Sequence, residues 1–318
     1  MTKLKLTLAA LGLGAALAAG PAAATIQWYS PITAFQDDNI DFHIEGIDGQ
    51  GNLIPDSDGQ LDVGDSLIAV FEIFETFGPF GGGPSDIGPD QELTGIAAIT
   101  LVAITDLDGI GGDNDFVFSP YTDGLNAILG LGTGGVTVAD GGAGEGAIVG
   151  MYRDDDPNLE IVGDISCATL SECIDQAVDG EMFEVDGFAG DTDEFWVALN
   201  AEGDTDLVLE SPASSKFGTV NYGLSVLENG TGRKLVEQEC VGAAADLCQG
   251  DNMIQVIGSG DVLGGQGLTV YPGLIADGLK ARSDFDFQKA VPEPTALALM
   301  AAGLLGFGAT QRRRRRKA

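Results

Sequence analysis

The chain has 318 residues, with 49 acidic side chains against 15 lysines and arginines and a single histidine, for a formal net charge of −34. Such a surface repels phosphate, so nucleic acid is excluded as a natural partner, while divalent cations and neutral or cationic polymers remain. With 44% hydrophobic residues and a positive mean hydropathy, the chain can bury a packed core, which sets aside disorder in spite of the charge.

Residues 1–24 read as a signal peptide. Lys3 and Lys5 form the basic start, Leu6 to Ala19 the apolar stretch, and Ala22-Ala23-Ala24 an A-x-A cleavage box that would leave Thr25 first. The body from 25 to 290 then holds 48 acidic residues and only seven basic ones, Arg153, Lys216, Arg233, Lys234, Lys280, Arg282 and Lys289. Its charge is about −41, because eight of the fifteen cations lie in the terminal segments. Self-repulsion on that scale opposes a compact state, so ionic strength, calcium or both are expected to help the body fold.

Short β-rich runs follow one another along the body. They predict strands at 40–44, 66–77, 96–104, 115–118, 135–138, 147–152, 194–198, 206–209, 220–226, 253–257 and 268–271. Glycine-rich turns such as GPFGGGP (78–84), DGIGGDND (108–115), DGGAGEG (140–146) and ENGTG (228–232) separate them. Helical periodicity is confined to two small patches beside the cysteines. The fold class predicted is all-β, a β-sandwich or jelly-roll-like body. The Gly-rich 130–146 stretch is the one candidate boundary within it, with a single domain preferred.

His43, the only histidine, alternates with Asp41 and Glu45 on one face of its strand, opposite Phe42 and Ile44. That pattern predicts an exposed side chain, and any Ser-His-Asp or Cys-His relay would have to use it. The acidic turn after it offers a candidate calcium site. On an EF-hand loop Asp56 takes position 3, Asp58 position 5, Gly59 the sharp turn, Asp62 position 9 and Asp65 position 12. Ile54 at position 1 cannot coordinate, and a strand rather than a helix follows, so the expectation is a DxDG turn that holds calcium, with a solvated acidic turn as the alternative. Asp106, Asp108, Asp113 and Asp115 form a second acidic turn, and Asp154-Asp155-Asp156 reads as a charged loop before Pro157. The GxGxxG match at 130–135 is followed by β-branched residues instead of a helix, so it is a turn and not a nucleotide site.

The four cysteines come as two close pairs, Cys167 with Cys173 and Cys240 with Cys248. In an exported chain an even count favours disulfides. Local pairing needs no assumption about the fold; crossed pairing is the alternative, and zinc is disfavoured by the spacing and the lack of nearby histidine. Trp28, Tyr29, Phe35, Trp196, Tyr222 and Tyr271 could line a sugar-binding face, although a core would absorb them equally well. No nucleophile elbow precedes a helix. Two carboxylates suffice for a glycosidase, but nothing singles out a pair.

Residues 291–318 read VPEP, then an apolar run from Thr295 to Thr310, then Gln311, the arginines Arg312, Arg313, Arg314, Arg315 and Arg316, and Lys317. The prolines hold Glu293 in extended geometry that a protease can grip. As a helix the apolar run spans roughly 24 Å, short of the roughly 30 Å hydrocarbon core, a mismatch that snorkelling arginines and local thinning would cover. The cations hold this end on the cytoplasmic side. Proline-glutamate-proline, apolar helix and Arg-rich tail in this order resemble the PEP-CTERM sorting signal of Gram-negative bacteria. The resemblance implies that a membrane-embedded exosortase, a protease or transpeptidase, recognises Pro292, Glu293 and Pro294 and cuts near them. The body would be held at the inner membrane until then, and afterwards released or transferred to the cell surface or extracellular matrix. The resemblance covers 28 residues of 318 and reports destination rather than biochemistry. Within the class, WYSPITAFQDDNIDF (28–42) and SDFDFQKAVPEP (283–294) resemble the flocculation-associated group, which implies floc or biofilm formation with exopolysaccharide. The expectation is an exported, acidic, non-enzymatic surface or matrix protein. A carbohydrate-binding module is the alternative, and a carboxylate-dependent glycoside hydrolase stands behind it.

Overall fold

The computed structural model of the protein describes residues 26–48, 52–57, 61–79, 85–87, 90–105, 115–133, 146–161, 163–187, 197–200, 217–239, 253–264 and 270–292. Several expected features lie outside them: the signal peptide, Asp58, the second acidic turn before Asp115, strands 135–138 and 206–209, Trp196, Cys240, Cys248, and everything from Glu293 onward, including Pro294 and Arg312 to Arg316. In chain order the elements are β1 Ile32–Ile47, β2 Leu53–Pro55, β3 Ser66–Phe77, β4 Ser85–Asp86, β5 Glu92–Thr105, β6 Asp115–Pro120, α1 Leu125–Leu129, β7 Ala147–Asp154, α2 Leu170–Ala177, β8 Glu181–Gly187, β9 Val197–Asn200, β10 Phe217–Asn229, β11 Gln238–Glu239, β12 Met253–Ile254, β13 Val256–Gly264, α3 Pro272–Ala276, β14 Leu279–Asp284 and β15 Phe287–Ala290.

The all-β expectation holds, and one antiparallel sheet supplies the architecture. β1 pairs β3, β3 pairs β5, β5 pairs β7, β7 pairs β8, β8 pairs β10 and β10 pairs β13. β13 then returns to β1 through β14 and β15, which lie end to end between them. The sheet therefore closes into a ring, and closure removes the free edges along that path. β6 and β9 bridge the second half of β5 to the first half of β10.

Closure buries both faces of the long strands. Phe35, Phe71, Ile73, Leu93, Phe116 and Met151 belong to a core inside the ring. Ile40, Phe42, Ile44, Ile68, Val70 and Ile96 belong to a second core, shared with residues of α1, α2 and α3. Register agrees: Ile40 lies opposite Val70 and Val70 opposite Ile96, while Phe71 lies opposite Asn39 and Gly95. Glu72, a charged residue within β3, is half-buried and accepts a hydrogen bond from the Ile161 N–H at 2.8 Å.

α2 forms because Leu170, Cys173, Ile174 and Ala177 repeat at helical spacing and turn one buried face to the outer core. Thr169 caps it by accepting from the Glu172 N–H, and the Glu172 carboxylate reaches back to the Ala168 N–H. Cys167 and Cys173 are joined as the local pairing anticipates. That bond pins the chain entering α2 to the helix's own buried face.

Three sequence expectations change. His43 is fully buried, not exposed, because the face it shares with Asp41 is covered too. Val270 and Tyr271 do not continue a strand; they lead into α3, with Pro272 at its first position. β8, β14 and β15 are additional strands, hidden from the hydrophobic pattern by their charged residues, of which Glu184, Asp186 and Lys289 are buried.

Gly95 is one of the tight points of the ring. A Cβ there would lie 2.4 Å from the Gly150 carbonyl oxygen and 2.4 Å from the Phe71 ring. Gly95→Ala is therefore expected to cost about 1–3 kcal/mol by overpacking, read as a lower denaturant midpoint at unchanged m-value. An unchanged midpoint would contradict this packing.

Candidate functional site: buried charge and the sorting segment

Lys289 on β15 is fully buried inside the ring, together with Glu184 and Asp186 of β8. Its Nζ donates to Glu184 and, at 2.9 Å, to Asp186 Oδ2, and it stands 5.0 Å from the Phe287 ring centroid. Burial alone would lower the Lys289 pKa, but the two carboxylates outweigh it and raise it. Glu184 is pushed well above the usual carboxylate range by burial and by Asp186, against the pull of Lys289. One ammonium facing two carboxylates leaves one negative charge in excess, and burial beside Asp186 favours the neutral form of Glu184.

The strand that carries Lys289 is broken once, at Phe285-Asp286, between β14 and β15. Side chains and neighbouring strands fill the break. Asp37 Oδ1 accepts from the Phe285 N–H at 2.7 Å, the Tyr222 hydroxyl donates to the Phe285 carbonyl at 2.9 Å, and the Ser259 N–H donates to the Asp286 carbonyl at 2.9 Å. Asp37, Asp284 and Asp286 bring carboxylate oxygens within 4.8 Å of one another. Burial, more than its acidic neighbours, raises Asp37, and burial followed by Asp284 pushes Asp286 up to about 7. A second such group joins Glu92, Asp154 and Asp179. Sequence reading missed both, because their members come from strands far apart in the chain; only the ring brings them together.

The predicted calcium turn folds back onto His43. Asp65 Oδ2 lies 3.1 Å from His43 Nε2 and also accepts from the Asp62 N–H at 2.7 Å. Asp56 Oδ2 lies 3.6 Å from His43 Nδ1 and 3.2 Å from Lys280 Nζ. Asp56 and Asp65 thus serve an internal ion-pair network, while the Asp62 side chain is exposed. Of the aromatic residues considered for sugar stacking, Phe35 is buried and Tyr222 packs against the ring's inner core. Trp28 packs edge-on against Phe35 and stacks on Phe183. The Tyr271 hydroxyl accepts from the Ile165 N–H.

At the end of β15 the Val236 N–H donates to the Ala290 carbonyl at 3.1 Å and the Val291 N–H to the Pro31 carbonyl at 2.8 Å. Val291 is buried and Pro292 exposed, so the chain leaves the ring at the first proline of the Pro-Glu-Pro. Among the described residues no helix is long and apolar enough to cross a membrane; the apolar run 295–310 lies outside them.

A closed acidic β-body that passes directly into a terminal address is the class defined so far. Residues 290–315 match the family model for the PEP-CTERM protein-sorting motif. The chain thus carries the signal of an exported protein that an exosortase processes at the membrane. No curated protein and no solved structure matches it.

Two outcomes test the buried charge. Lys289→Met strands two carboxylates and is expected to cost about 3–5 kcal/mol, whereas Glu184→Gln, which replaces a group already drawn to its neutral form, should cost under about 1.5 kcal/mol by denaturant melts. Equal losses in the two variants would refute the assignment of the proton to Glu184. The second test uses pH. Burial raises Asp41 to about 7, against the Ser283 hydroxyl and Arg282. A folded-state value above the unfolded one means that the folded chain holds the extra proton. The stability tied to it is therefore complete below about pH 4 and lost as pH rises through about 7, up to about 4 kcal/mol. In chelator, the unfolding midpoint should fall from pH 5 to pH 8, and Asp41→Asn should flatten that slope.

Proposed function

We propose that this is an exported, exosortase-sorted protein of the cell surface or extracellular matrix, non-enzymatic, that supports floc or biofilm formation together with exopolysaccharide. The observation that carries the reading is the junction at residue 290. The sorting motif begins on the last residue of the ring-closing strand, so the whole acidic body lies upstream of Pro292, Glu293 and Pro294 and travels as one folded unit. A body of about −41 charge acts as a dense polyanion that calcium or polysaccharide cross-links into a coat. A non-enzymatic role is supported by His43, the single histidine, whose ring is sealed from solvent between Asp56 and Asp65; no substrate reaches it.

The test is a native strain beside one that lacks the protein and one that carries Glu293→Ala. The native strain should display the body at the surface or in the medium and settle as cohesive flocs. Glu293→Ala should keep the chain in the inner-membrane fraction at its uncut size, and both altered strains should lose floc cohesion. Normal surface display with Glu293→Ala would remove the sorting step, and normal flocs without the protein would remove the matrix role.

A further inference from the structure

The group of carboxylates at Glu92, Asp154 and Asp179 is built differently from a solvated acidic patch. Each residue comes from a different segment: Glu92 opens β5, Asp154 ends β7, and Asp179 lies between α2 and β8. Each contributes a carboxylate oxygen within 4.8 Å of the other two. Glu92 is almost wholly buried, at 3% exposure. Its Oε2 accepts from the Asn158 N–H at 2.9 Å and the Leu159 N–H at 3.1 Å. Its Oε1 is buried without a hydrogen-bond partner among the described residues. A buried carboxylate oxygen left unpaired beside two further carboxylates is costly unless a cation meets it.

The surroundings fix this geometry. Asn158 clamps two of the three groups, because its side-chain amide also donates to Asp179 Oδ2 at 2.6 Å. A Cβ on Gly180 would stand 2.3 Å from the Arg153 carbonyl oxygen and 2.8 Å from the Asp154 nitrogen, so the turn holding Asp179 is pressed against the end of β7. Arg153, the nearest cation in sequence, points its guanidinium to Glu181 at 3.5 Å. The charges acting on Glu92 are those of Asp179 and Asp154, both repulsive.

We infer that Glu92, Asp154 and Asp179 form a binding site for one calcium ion, which ties β5, β7 and the α2–β8 turn together. The donors are all oxygen, which suits a hard divalent cation and excludes a zinc or copper preference. Three carboxylates from three segments give an irregular cage, which calcium tolerates better than magnesium, and the exposed side at Asp179 leaves room for water to complete the shell. The site is separate from the Asp56–Asp65 turn and does not depend on the matrix role.

The test uses the full chain, purified in non-ionic detergent and stripped with chelator. It is titrated calorimetrically with calcium chloride in excess sodium chloride and melted with and without calcium. The native chain should bind calcium saturably, and its melting temperature should rise by roughly 5 °C at saturation. Asp179→Asn, a change at an exposed position, should melt like the native chain without calcium yet lose one bound equivalent and most of the rise. Glu92→Gln keeps an oxygen for the two backbone N–H groups and should behave alike; should it fail to fold, Asp179→Asn decides alone. Native binding stoichiometry in Asp179→Asn, or a melting rise reproduced by sodium chloride at equal ionic strength, would overturn the site. An equal rise with magnesium would overturn its assignment to calcium.

Discussion

The structure depends on one buried ammonium group. β8 and β15 are not neighbours in the ring; β10 and β13 separate them on one side and β7, β5, β3 and β1 on the other. Lys289 nevertheless joins them, reaching across the interior to Glu184 and Asp186. Burying a lysine is unfavourable unless its charge is met, and here two carboxylates from the opposite wall meet it. The pairing sets the depth at which β15 sits, and β15 with β14 is the piece that closes the ring between β13 and β1. In a body with only seven basic residues, setting one wholly inside the wall means that its position is specified rather than incidental.

The same constraint explains the remaining acidity. A chain so rich in carboxylates cannot give each one water or a cation once its sheet closes, and those trapped inside or against the seam resolve the conflict locally. Asp41 and Asp286 do so by holding protons near neutrality. Asp56 and Asp65 do so by bracketing His43, with Lys280 beside Asp56. Glu184 and Asp186 share Lys289. Each solution draws on a different group, and each leaves the fold sensitive to a different solution variable.

How much of this was legible in the sequence follows from the same physics. β3 was readable to the residue, because Ser66 to Phe77 is apolar and β-prone along nearly its whole length, with Glu72 and Glu75 as its only charges. α2 was readable as a helical patch, and its disulfide as the local one. β14 and β15 were not, because LKARSD and FQKA are short and mix charge among few apolar residues, and Lys289 breaks outright the rule that inward positions are apolar, its counter-charges lying on the far wall. His43 was misjudged for the same reason. Alternation correctly put it on one face with Asp41, but polarity marks the solvent side only when one face is wet, and from Asn39 to Ile44 β1 has none. The carboxylate groups at Asp37 and Glu92 could not be read at all, since their members meet only through strand pairing.

Strand order also bears on how such a protein can be sorted. The closing strand is the last of the body, and the address begins on its final residue. The ring therefore cannot close until nearly all of the body has cleared the membrane. Until then β1 and β13 expose open edges, and Glu184 and Asp186 lack their cation. Once β15 docks, the hydrogen bonds at Ala290 and Val291 complete the seam, and Pro292 stands outside it. Among the described residues, a cut at or beyond Pro292 removes no ladder bond and no buried charge, so a processed body keeps the described interactions that close it. Residue 290 thus marks both the end of the closing strand and the start of the address, so a chain can be folded and still be held, and then be cut without losing that strand.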